Sequence, residues 1–210
     1  MHLQPGRLRI AADTLASHAG KATGTVAKVS VLPHRRAFIC MSGRLVTHRA
    51  VAYSLDSAAE FTATAEATVA WCHDVLRGVE ARRRQEEGGP ASTDAGTAAA
   101  QMFIFVFDTA ARPGRWRGFG LDETDDPPIE LAPGVYCQPP ANFRYPLDRR
   151  VKADSDWFAL HRELYQRLDA AAKEAGFEWR RAAGRNELWL YGANGPDEVS
   201  IRRLGELPAA

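Results

Sequence analysis

Three short segments of strand character fill the first forty-odd residues, and the hydrophobic period changes directly after them; this order constrains the fold more than any other feature. Leu8-Arg-Ile-Ala-Ala12 reads as one strand. Val26 to Leu32 alternates apolar with small or polar residues, as a half-buried strand does. Ala37 to Met41 is an apolar run of strand length. The polar, glycine-containing stretch from Ser17 to Gly24 predicts a loop. Pro33-His-Arg-Arg36 predicts a turn, with proline fixing φ and the charges in solvent. Strand, turn and strand in this order predict a hairpin or meander.

From Leu45 the spacing becomes helical. Val46, Arg49, Ala50 and Tyr53 share one period, as do Phe61, Ala65, Thr68, Val69, Cys72, Val75, Leu76 and Val79. Two helices are predicted, the first ending near Ser57 and the second running to about Gln85. Asp56 or Ser57 is the expected N-cap of the second, with Glu60 completing a capping box. Arg82-Arg83-Arg84 suits the negative end of that helix and reads as solvated. Residues 87–98, rich in Gly, Ser, Thr, Pro and Ala, predict a mobile loop inside the domain.

Met102 to Phe107 is the best candidate for a central strand, and Arg115 to Leu121 is its returning partner. An acidic loop follows from Glu123 to Pro128, then a strand from Ile129 to Cys137 that Pro139-Pro140 stops. Ser155 to Ala175 predicts an amphipathic helix with Asp154 as N-cap and Gly176 as C-cap. Glu187 to Tyr191 and Glu198 to Leu204 predict a closing hairpin. Helices segregated from antiparallel strands point to an α+β layered fold. Two antiparallel sheets packed face to face with helices outside, a four-layer αββα sandwich, use every element. The 210 residues make a single domain over 1–210, large enough to bury such a core.

Bulk properties limit the function classes. A formal net charge of +1 gives no reason to expect nucleic acid or an anionic membrane surface as partner. Three separated cysteines, Cys40, Cys72 and Cys137, fit a reducing compartment. No signal peptide and no membrane-length apolar run is visible, so a cytoplasmic protein is expected. The six histidines lack ligand spacing, and Gly114-Arg-Trp-Arg-Gly-Phe-Gly120 lies on a predicted strand rather than opening a helix, so no metal or cofactor is expected. Cys72-His73 reads as a buried thiol beside an exposed imidazole. Cys40 or Cys137 with a distant histidine would make a thiol dyad, which sequence alone cannot pair. Arg115 and Arg117 around Trp116 read as an amphipathic strand with charges outward, and Phe103, Phe105 and Phe107 as core.

One ordered set of motifs carries chemistry. Ala12-Asp13-Thr14 ends the first predicted strand, Lys28 lies in the second, and Ser42-Gly43 follows the third. In this order and spacing, and with the closing hairpin, the chain resembles proteasome-type β subunits and their bacterial relatives among the N-terminal-nucleophile (Ntn) hydrolases. The likeness covers the first half well and the tail moderately; residues 121–185 match poorly. It implies an ancestral amide-bond hydrolase, or peptidase, that self-associates. In such enzymes an N-terminal threonine attacks, its own α-amine acts as base, a lysine lowers that amine's pKa and an aspartate holds the lysine. By resemblance Asp13 and Lys28 match the aspartate and lysine, and Gly43 the oxyanion-donating turn. The nucleophile should stand a few residues ahead of Met1; the chain as given opens Met1-His2, neither a hydroxyl nor a thiol. The alternative is a non-catalytic assembly or binding module that keeps the sandwich.

Overall fold

A computed structural model gives the fold, described for residues 1–18, 21–42, 45–58, 64–87, 101–136, 156–174 and 186–207. Twelve strands and three helices lie within them. One antiparallel sheet has the order β10 (Gly134–Val135), β1 (His2–Gln4), β2 (Arg7–Asp13), β11 (Glu187–Asn194), β12 (Glu198–Glu206). A second has the order β5 (Val29–Leu32), β6 (Ala37–Ser42), β7 (Gln101–Asp108), β8 (Arg115–Leu121), β9 (Ile129–Leu131). A separate ribbon pairs β3 (Leu15–His18) with β4 (Lys21–Thr25). The helices are α1 (Leu45–Ser57), α2 (Ala65–Glu87) and α3 (Trp157–Glu174).

Strand alternation sorts side chains into three cores and so defines four layers. Leu8 and Ile10 of β2 meet Phe38, Cys40, Phe105 and Trp116 between the sheets. The other face of the second sheet sends Ile39, Met41, Ile104 and Phe119 against Val51, Leu55, Cys72 and Leu76 of α1 and α2. β6 and β7 are thus buried on both faces, which is why both are continuous apolar runs. On the far side, Trp157 and Leu160 of α3 pack on Ala11 and Leu190. The chain is an α+β αββα sandwich, as its element order predicts.

Several local expectations change. The predicted loop over 17–24 is mostly the β3–β4 ribbon. The predicted strand from Val26 begins only at Val29. The single strand expected after Pro128 divides: β9 extends one sheet, and two residues later β10 joins the other. The Ser57 capping box does not form, because Ser57 is the last residue of α1 and α2 begins only at Ala65; Ser57 Oγ donates back to Tyr53 O (2.7 Å). α2 is capped instead by Thr64, whose Oγ1 accepts the Ala67 N–H (3.3 Å). At α3 the cap is Asp156, whose Oδ1 accepts the N–H groups of Phe158 and Ala159 at 3.0 Å each. Glu60, Asp154, Gly176 and most of the loop over 87–98 lie outside the described residues. No described helix is long and apolar enough to cross a membrane.

Candidate functional site

The site grows from the end of β2. Its last residue, Asp13, pairs with Leu188 of β11. Immediately beyond, the chain is pinned from two sides. Thr14 N–H donates to Glu187 O (3.0 Å), Thr14 Oγ1 accepts Glu187 N–H (3.0 Å), and the buried Asn186 Oδ1 accepts the N–H groups of Thr14 and Leu15 at 3.2 Å each. After the ribbon, Val26 N–H returns to Thr14 O (2.7 Å). That bond closes the excursion and sets Lys28, two residues on, opposite Asp13: Nζ lies 2.7 Å from Oδ1. The two side chains are 33% and 18% exposed, shielded enough for a directed charge-assisted bond yet open to an approaching group.

An open cleft of about 730 Å³ is lined by residues next to the pair in the chain, not by Asp13 or Lys28 themselves. Thr14, Thr25 and Ala27 flank it, and Val29, Trp189 and Tyr191 line its apolar wall. α3 adds His161, near enough for the Asp13 carboxylate and the terminal ammonium to act on it in opposite senses. Burial, reinforced by that ammonium, pushes the imidazole down to about 4, so it is neutral at pH 7. The ammonium donates to Tyr136 O (2.7 Å), and Tyr136 N–H donates to Met1 O (2.9 Å), so β1 opens tied to the chain beyond β10.

The structure therefore joins Asp13 to Lys28, while Gly43 lies outside the described residues. His161 and Asn186 carry no local sequence signal: one is a single histidine on a helix, the other an asparagine ahead of a strand. His73 is the outright miss. It is buried beside Cys72, because the acidic loop folds over α2: His73 Nε2 meets Thr124 O (3.1 Å), Arg77 pairs with Asp125, and Arg84 with Glu123 (2.7 Å). Trp116 is buried with its Nε1–H on Gly195 O (3.1 Å), but Arg117 is not outward as predicted: its side chain is 12% exposed and held by carboxylates on the face that carries the buried Phe119 and Leu121. Among the described residues no group of three or more His, Cys, Asp or Glu is placed to hold a metal ion. Cys137 lies outside them.

No family model and no curated protein matches the chain. Among solved structures it is similar to Anbu (ancestral beta-subunit) from Yersinia bercovieri, with a TM-score of 0.57 and 13% identity. The match covers 98% of this chain and 85% of that one. At that identity the likeness shows a shared fold, and that fold is proteasome-like.

Proposed function

We propose that the protein is a proteasome-like subunit of Ntn type, ancestrally an amide-bond hydrolase, that assembles with copies of itself. The observation that carries this reading is the Asp13–Lys28 ion pair at the mouth of an αββα sandwich, beside an open cleft. Its chemistry suits the role. Lys28 is ion-paired with Asp13, and an ammonium there would favour the neutral, basic form of an α-amine brought close to it. Extended beyond its recorded pairs, the β1–β2 register would bring such an amine opposite Asp13. Partner numbers in it add to eleven, so the position facing Asp13 lies three residues ahead of Met1. A hydroxyl or thiol residue opening the strand there would bring nucleophile, base and orienting pair within one short strand length.

A second reading, a non-catalytic assembly module that keeps the same sandwich, fits the fold equally. N-terminal sequencing of the protein isolated from its native source decides between them, together with turnover of fluorogenic peptides and labelling by a β-lactone. Turnover that falls about 10²-fold or more in Lys28→Met establishes the hydrolase. No turnover and no adduct in a protein that still assembles, by light scattering, establishes the module. A monomer without turnover defeats both.

A further inference from the structure

Among the described residues, α3 packs on Ala11, Val135, Leu190 and Leu204 of the outer face of the β10-β1-β2-β11-β12 sheet. Toward the start of β2 the same face carries Arg7 and Arg9, alternating with the buried Leu8 and Ile10. Register places Gly192 of β11 beside Arg9, and Ser200 of β12 beside Gly192, with Arg202 one alternation further along β12. Gly192 leaves a trough. A Cβ there would fall 2.9 Å from Arg9 Nη1 and 3.0 Å from Ser200 Oγ. Arg9 lies along it, Nη1 donating to the carbonyls of Leu8 (2.8 Å) and Ala193 (3.1 Å), Nη2 to Asn194 Oδ1 (2.8 Å).

This arrangement costs energy. Among the described residues the side chains of Arg7 and Arg202 have no ion-pair or hydrogen-bond partner, and both repel Arg9, whose pKa burial and these neighbours lower. Glu198, held by Asn194 Nδ2 (3.0 Å), is the carboxylate that opposes them. Three guanidinium charges against one carboxylate leave an excess of two, in a chain whose whole net charge is +1. The positive patch is therefore local, not a consequence of composition. Beside it stands a second cost. His2 pairs across β1–β2 with Arg9 and is only 8% exposed, and among the described residues its buried Nδ1 has no hydrogen-bond partner. In the tautomer that carries its proton on Nδ1, that ring has an N–H to donate to an anion held beside Arg9.

We propose that Arg7, Arg9 and Arg202, with Ser200 on the same face, form a binding site for a phosphate-bearing anion. Guanidinium forks match the oxygens of a tetrahedral dianion, and the excess of two charges is what a dianion neutralises. An acidic polypeptide fits less well. Its carboxylates on one strand face repeat at roughly 7 Å, so each would meet one arginine at most, whereas a phosphate offers several oxygens at a single point.

The test titrates the full chain with inorganic phosphate and with tripolyphosphate by calorimetry, at constant ionic strength balanced with chloride. Arg9→Gln and Arg202→Gln should each weaken binding about tenfold, and Arg82→Gln on α2 should not. Arg202→Gln should also hold or raise the melting temperature of the free protein by relieving repulsion, while abolishing the rise that tripolyphosphate produces. A merely structural arginine does not give that split. If Arg9→Gln fails to fold, Arg7→Gln and Arg202→Gln decide. Binding indifferent to both, or absent at constant ionic strength, overturns the proposal. So does an oligoglutamate peptide that binds more tightly than tripolyphosphate. The site stands apart from Lys28, so phosphate binding that survives Lys28→Met keeps it independent of any hydrolase activity.

Discussion

Cys40 and Cys72 carry thiols that burial alone pushes up to about 12. At pH 7 the reactive thiolate is then about one part in 10⁵. In a Cys137→Ser background, native protein should resist alkylation by iodoacetamide over hours, and denatured protein should label at both sites. Mass spectrometry reads the count, and prompt stoichiometric labelling of the folded state would refute the burial argument. The same physics decides which site residues were legible. Asp13 and Lys28 could be read because the order and spacing of their motifs carry the resemblance, even though Lys28 lies just ahead of β5 rather than within it. Asn186 could not, because its value lies wholly in who needs an acceptor, and the N–H groups it satisfies belong to Thr14 and Leu15, 171 residues away or more. His161 is likewise defined by the helix that carries it over β2.

At the scale of elements, Arg117 of β8 joins three others. It donates to Glu66 at the start of α2, to Asp108 of β7 (3.3 Å), and through Nη2 to Glu130 of β9 (2.7 Å). Hydrogen bonding to Arg117 holds the Glu66 and Glu130 carboxyls below their ordinary 4.5. A carboxylate whose folded pKa is depressed adds stability that is complete above its unfolded pKa and is lost as pH falls through the folded value. Both glutamates are well exposed, 64% and 47%, so screening limits each to under about 1 kcal/mol. The urea midpoint should therefore fall between about pH 5 and pH 3, and Arg117→Gln should flatten that part of the curve. A profile unchanged by the substitution would remove the hub from the account. Element boundaries follow the same rule of local against distant partners. α1 ends at Ser57 as its period predicts, but α2 starts only at Ala65, so its cap is Thr64 and not Ser57. His73 was misread because the loop that covers it comes from fifty residues further along.

At the scale of the molecule, the layers were legible because apolar runs, alternating strands and an amphipathic helix each admit few packings; how closely the layers approach was not. Gly118 sets that distance at one point. It sits within β8, which lies across β1 of the facing sheet. An added Cβ would fall 2.9 Å from the Phe105 ring and 3.0 Å from Leu3 Cδ2. Phe105 is wholly buried and Leu3 nearly so, and neither can swing into solvent. One methyl group would have to part the sheets or force a ring off its rotamer, so Gly118→Ala should cost about 1–3 kcal/mol in urea unfolding. Gly120, two residues along the same strand, is the internal control. Its nearest neighbour is the Phe103 ring at 3.5 Å, ordinary contact, and Gly120→Ala should stay within about 0.5 kcal/mol. If Phe105 is the obstacle, Phe105→Leu combined with Gly118→Ala should be less destabilised than the sum of the two, a coupling of about 0.5 kcal/mol or more. A neutral Gly118→Ala, or strict additivity, would mean that the sheets are not in contact there and that the inter-sheet core is held by β2 and β11 alone.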